Sequence, residues 1–179
     1  RGLAEATPDE PAQAWHAAFE RLHQESPAHR WWAARKVVAR LEADPGHDAE
    51  LLKRWRERSR AAEAAEQRAW DELNTPPWLG NTGGHELGAF ELDDLRRVLA
   101  DCAPLTRAWL LRKHLREFSG RRAWLLVVRF DGVPAEDAEA LVATLQESVD
   151  LPGPVRVLPL AAVREADLQR HAGCVVYPA

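Results

Sequence analysis

The stretch GNTGGHELGAFELDD, residues 80–94, sets a His85–Glu86 pair inside a run of glycines. Zinc hydrolysis by an HExxH motif needs two histidines one helical turn apart, with the glutamate between them polarising water. Here Leu87, Gly88 and Ala89 follow Glu86, so the second ligand is missing. Gly83, Gly84 and Gly88 also disfavour the helix that would present it. A Walker-type phosphate loop needs Gly-Lys-Ser/Thr ahead of a helix, and the stretch contains no lysine. The G-x-G-x-x-G dinucleotide pattern is absent as well. His85 and Glu86 are therefore expected to cap or bridge a domain junction without binding a metal.

Other side chains with chemical potential fare similarly. Seven histidines invite a metal reading, and His16 and His23 are spaced i, i+7 on a helical pattern, with His29 beyond the next turn. Interfacial or exposed histidines are the commoner outcome. Cys102 falls at a helix C-terminus, where the macrodipole does not favour a thiolate, and Cys174 falls in an apolar strand. Two cysteines without metal spacing read as buried thiols of a reducing compartment. No catalytic residue, metal or cofactor is expected.

Two other groups are candidates for binding. Arg107, Arg112, Lys113, Arg116, Arg121 and Arg122 cluster in LTRAWLLRKHLREFSGRR, which as a hairpin would present an anion-binding face to phosphate or nucleic acid. Against this, 28 acidic and 24 basic side chains leave a net charge of -4, so nucleic acid is not an expected partner of the chain as a whole. Eight tryptophans are the most unusual feature of the composition. Trp15, Trp31, Trp55 and Trp109 fall on apolar stripes and are assigned to the core. Trp32 and Trp78 fall off them and are candidate anchors for a protein partner, or for the remainder of a longer parent chain.

The elements that position these residues follow from periodicity. Residues 1–78 read as helical. Pro8 and Pro11 mark the start, and Trp15, Ala18, Phe19 and Leu22 form the first stripe. Ser26 and Pro27 open a second helix with Trp31, Ala34, Val38 and Leu41 inward, widened by Trp32 and Val37. Asp44-Pro45-Gly46 stops it. A long third helix carries Leu52, Trp55, Ser59, Ala62, Glu66, Ala69 and Leu73 at 3-4 spacing, with two polar members that argue against a coiled coil. Pro11 and Pro45 lie 34 residues apart, the period of a tetratricopeptide-like repeat. A degenerate repeat and a plain three-helix unit both fit.

Residues 79–91 are rich in glycine after two prolines and read as a junction. From residue 92 the pattern changes. A short helix precedes Pro104, a buried strand fills 123–128, and a helix carries Ala138, Leu141, Val142, Leu145 and Val149. VRVLPL is a strand, AAVREADLQRHAG a short helix and CVVY a last strand. LTRAWLLRKHLREF satisfies either helix or strand spacing, and the turn-like SGRR after it favours a hairpin. The expected fold is α+β: an N-terminal three-helix unit at 1–78, a junction at 79–91, and at 92–179 a small four-stranded, mainly antiparallel sheet with packed helices.

That order, with TRAWLLRKHL, AWLLVVRFDG, EDAEALVATLQESV, VRVLPL and DLQRHAGCVVY, resembles the C-terminal domain of the enhanced-serine-sensitivity (SseB-like) family over about residues 104–179. The segments AELLKRWRERSRAAEAAEQRAWDEL and LTRAWLLRKHL, over 49–130, are similar in order to the C-terminal region of bacterial membrane zinc metallopeptidases with helical repeats. Neither resemblance implies catalytic residues within this chain. Together with the absence of any methionine, they imply a fragment of a longer bacterial protein. The expected role is a non-catalytic interaction or regulatory domain, cytoplasmic, or the cytosolic part of a membrane-anchored parent. The alternatives are an accessory, substrate-presenting tail of a zinc metallopeptidase, or an anion or nucleic-acid binder using the Arg hairpin. No run of apolar residues long enough to span a bilayer is present.

Overall fold

The computed structural model describes residues 10–171 and 174–178. Pro8, read above as the start of the first helix, and residues 172, 173 and 179 lie outside them. The fold is α+β. The chain divides into two compact units, Arg1–Arg68 and Ala69–Ala179.

The first unit holds α1 (Glu10–Glu25), a 3-10 turn at Pro27–His29, α2 (Arg30–Ala43) and most of α3 (Ala49–Asn74). Pro27 starts the turn because its missing N–H costs nothing there. Asp44 stops α2: its Oδ1 accepts the Gly46 N–H at 2.9 Å. Asp48 then caps α3, accepting the N–H groups of Glu50 and Leu51 at 2.9 and 3.1 Å. The core joins Ala34 and Val37 of α2 to Trp55 of α3, with Trp15 and Phe19 of α1 packed against them. Small residues on α2 let the indole of Trp55 sit fully buried.

The division between units falls inside α3, ahead of the prolines and glycines. The stretch read as a junction, 79–91, falls within the second unit, and its Thr82–Gly84 form a strand of that unit's sheet. Its elements are β1 (Thr82–Gly84), α4 (Ala89–Ala100), β2 (Leu105–Lys113), β3 (Trp124–Phe130), α5 (Ala135–Ser148), β4 (Val155–Pro159), α6 (Glu165–Gln169) and β5 (Val175–Tyr177). The sheet has five strands, not four, in the order β1-β2-β3-β4 with β5 also pairing β2. The extra strand is β1, whose Thr82, Gly83 and Gly84 pair Lys113, Arg112 and Leu111. Asn81 extends this ladder: its carbonyl accepts the His114 N–H at 2.9 Å and its side-chain amide donates to the His114 carbonyl at 2.5 Å. Gly83 matters here because a Cβ would stand 3.0 Å from the His114 ring.

The ambiguous segment is a strand. β2 is antiparallel to β1, β3 and β5, and only β3–β4 is parallel, with α5 as the crossover. One sheet face packs Leu110, Leu126 and Val157 under Leu95 and Leu99 of α4 and Leu145 of α5. The other packs Trp109, Leu111 and Val127 under Leu168, Cys174 and Leu79. With both faces covered, 123–128 are apolar throughout rather than alternating. The outer edge of β4 is guarded by Gln146 of α5, whose amide donates to the Val155 carbonyl (2.9 Å) and accepts the Val157 N–H (2.8 Å). Gly153, at φ +130°, is required before β4, because a Cβ would stand 2.2 Å from the Arg122 carbonyl oxygen. No helix among the described residues is long and apolar enough to cross a membrane.

Candidate functional site

Strand parity decides where the hairpin cations go. Arg107 and Lys113 lie on one face of β2 and Arg112 on the other, so the six cations do not share a surface. Arg112 pairs with Glu86, and its Nε is buried without a partner. Arg122 pairs with Glu91 of α4 at 3.3 Å. Arg116 is exposed beside Glu72, whose carboxylate accepts the Arg116 backbone N–H at 3.0 Å. Arg121 lies over Phe118 at 3.8 Å, and Arg107 over Trp109 at 5.2 Å. The expected decorated hairpin face is thus dispersed: Arg107, Arg112 and Lys113 are divided between the two sheet faces, and Arg116, Arg121 and Arg122 lie in the connection after β2.

Lys113 departs furthest from the expectation. It is only 2% exposed. Its ammonium donates to the carbonyls of Trp78 (3.0 Å) and Gly80 (2.6 Å). Burial pushes it below the usual lysine range, against an opposing pull from Glu72. A desolvated cation is costly unless its N–H groups are satisfied, and here the satisfying partners are the backbone of the loop at 76–80. The lysine therefore fixes the shape of the segment that carries Trp78.

That segment forms one wall of an open groove of about 560 Å³. Pro76, Pro77, Trp78 and Leu79 face Ala162, Val163, Arg164, Arg170 and His171 across it. Asp167 accepts from Arg164 at 2.9 Å and from Arg170, so one carboxylate holds two guanidinium groups at the rim. These hydrogen bonds, Arg170 first, keep Asp167 below the usual carboxylate range. The groove combines an aromatic and proline wall with a cationic edge, which suits a peptide or loop with apolar side chains and nearby acids. Arg164, Asp167 and Arg170 were not singled out from the sequence. Their i, i+3 and i+3 spacing around a short helix was the available signal.

His85 and Glu86 occupy the stretch between β1 and α4, inside the second unit. His85 Nδ1 accepts the Leu87 N–H at 3.1 Å, and burial, then Arg96, lowers its pKa from the ordinary value. Glu86 sits at φ +54° and reaches Arg112. Gly88 donates its N–H to Glu91 Oε2 at 2.9 Å, closing the start of α4. Among the described residues no three His, Cys, Asp or Glu side chains gather as a metal site. Burial raises both thiols above the ordinary cysteine value.

In the first unit, two histidines, His16 and His23, meet on Trp55. His16 Nε2 accepts the Trp55 indole N–H at 3.0 Å, and His23 meets the same ring edge-on at 5.5 Å. His29 Nδ1 lies 2.7 Å from Ser26 Oγ. Arg58 covers Trp55 at 4.7 Å and pairs with Glu20 at 2.6 Å. Trp32 is 47% exposed on α2. It lines a second concavity, of about 370 Å³, with Trp31, Arg35, Lys36 and Ala39. Two further exposed aromatics, Trp70 at 59% and Phe90 at 89%, stand outside both grooves.

Comparison with models of known protein families, with curated protein sequences and with solved structures finds no match.

Proposed function

We propose that the chain is a non-catalytic protein-interaction or regulatory module, acting in the cytoplasm as part of a larger bacterial protein. The observation that carries this reading is the Lys113 clamp. A buried ammonium holds the carbonyls of Trp78 and Gly80 and so preforms the wall of an open groove. Pre-ordering a loop before contact removes part of the entropy that binding otherwise costs. Trp78, with its prolines, supplies the apolar contact, and Arg164 and Arg170 supply a polar rim. The resemblance to SseB-like C-terminal domains agrees with this reading without carrying it. The nucleic-acid alternative receives less support, since the hairpin cations do not share one face and several are paired internally.

The test is capture by the full-length parent of its partner, compared between the native chain and Trp78→Ala. A partner retained by the native chain and lost by a Trp78→Ala variant of unchanged melting temperature supports the groove. Equal retention by both removes it. A hydrolase or transferase activity that co-purifies and disappears on a single substitution would overturn the non-catalytic reading.

A further inference from the structure

The outward side of α2 sets three cations against indoles. Arg35, Lys36 and Arg40 are exposed, and none has a carboxylate partner among the described residues. Each lies instead on an indole: Arg35 over Trp31 at 5.0 Å, Lys36 over Trp32 at 5.9 Å and Arg40 over Trp15 at 4.7 Å. Two acids of this unit are engaged elsewhere, Glu42 with Arg56 at 2.7 Å and Glu20 with Arg58 at 2.6 Å. Three cations are thus held in fixed places by aromatic rings with no internal anion to meet them. Cation–π contact restrains a guanidinium or ammonium without consuming its N–H donors. In a chain of net charge -4, Arg35, Lys36 and Arg40 concentrate positive charge on this face of α2.

Shape narrows the partner. Trp31, Trp32, Arg35, Lys36 and Ala39 line a concavity of about 370 Å³, where the small side chain of Ala39 leaves room between larger neighbours. Such a hollow accepts one apolar side chain. Single-stranded nucleic acid would need open ring faces on which bases stack. Here Arg35 lies over Trp31, while Trp32 stacks on Phe19 at 5.5 Å and carries Lys36. A lipid surface is flat and is met by protruding apolar tips, whereas these rings lie against their neighbours.

We infer that this face of α2 binds an acidic segment of a partner protein. An aliphatic or aromatic side chain of the segment enters the hollow at Ala39, and flanking carboxylates meet Arg35, Lys36 and Arg40. The site shares no residue with the Trp78 groove, so it stands or falls independently of that reading.

The experiment titrates the full chain, labelled with nitrogen-15, with a synthetic peptide that alternates glutamate and leucine. Indole N–H signals report binding. The Trp31 and Trp32 signals should move saturably, and less so as salt rises. The double variant Arg35→Glu/Lys36→Glu should weaken binding at least about tenfold while keeping its helical circular dichroism. Phe90→Ala, at an exposed side chain outside both grooves, should leave the affinity unchanged. The proposal fails if millimolar peptide leaves these signals in place, or if the charge-reversed variant binds as well as the native chain. It also fails if the signals answer to phosphatidylglycerol vesicles or a single-stranded oligonucleotide but not to the acidic peptide.

Discussion

The two units solve the same problem, burying tryptophan, in opposite ways. Around Trp55 the helical unit gathers polar-tipped neighbours: His16 takes the indole N–H, His23 meets the ring edge and Arg58 covers its face. Around Trp124 the sheet unit gathers aliphatic side chains, Leu110, Leu126 and Val157 among them, and leaves the Trp124 indole nitrogen without a partner. The first core is small and depends on one aromatic and its hydrogen bond. The second is spread over four strands and three helices, so no single side chain dominates it. The lesson is that the helical unit carries its stability and its charge chemistry at the same place. The sheet unit keeps them apart, with the buried cation Lys113 set to hold a loop.

The largest way to break this comparison is Trp55→Ala. Truncating a fully buried aromatic costs about 3–5 kcal/mol where the site cannot collapse, and here it also strands the His16 acceptor. A three-helix core of this size has little reserve. The expected outcome is loss of the Trp15 and Trp31 indole signals with the Trp124 signal kept, read by nuclear magnetic resonance on the full chain. If all the signals persist with a small loss in melting temperature, the hub description is wrong.

A middle-sized test asks whether Lys113 is a clamp. Lys113→Met keeps much of the apolar stem and removes both hydrogen bonds. Leaving two carbonyls unsatisfied costs about 1–3 kcal/mol, and relief of the ammonium's desolvation offsets part of that. Hydrogen exchange should rise at residues 78–82 while β3 stays protected. Unchanged exchange in the loop, or a gain in stability, would show that the loop holds its shape without the lysine.

How much of this could be read in advance depended on which force decided each element. The helices of the first unit and the strands at 124–130 and 155–159 follow apolar spacing, and that spacing is in the sequence. β2 was ambiguous because Trp109, Leu110 and Leu111 are buried on both faces, which erases the alternation that marks a strand. β1 carried no signal at all. Thr-Gly-Gly has poor strand propensity, and its pairing comes from a neighbour some thirty residues away in sequence, with Asn81 bound to His114. The count of hairpin cations was legible, but their separation was not until β2 was known to be a strand, after which parity alone sends Arg107 and Arg112 to opposite faces. Trp32 and Trp78 stood out because they broke a stripe. The residues opposite Trp78 did not, because Arg164 and Arg170 are brought to it only by the final fold.

The smallest effect in this series is one of pH, and it separates the units by place. Burial, then Arg58 and Arg30, holds His23 below the ordinary histidine value of 6.5. The folded unit therefore prefers the neutral ring. Below 6.5 the unfolded chain takes up a proton that the folded one resists, so stability is full above that pH and falls as the pH drops toward the folded value. Glu20 continues the trend at lower pH. Its hydrogen bond to Arg58 holds its carboxyl below the ordinary value, a contribution present above 4.5 and lost as the pH falls through the folded value. The urea midpoint followed by the Trp55 indole signal should drop between pH 7.5 and pH 5.5, and His23→Gln should flatten that drop. His85 in the sheet unit has the same sign, from burial and then Arg96. It belongs to the sheet unit, so His85→Gln should change the Trp124 midpoint and leave the Trp55 one alone. A Trp55 midpoint that rises on acidification, or one that ignores His23→Gln, would mean that the ring beside Trp55 is not what couples this core to protons.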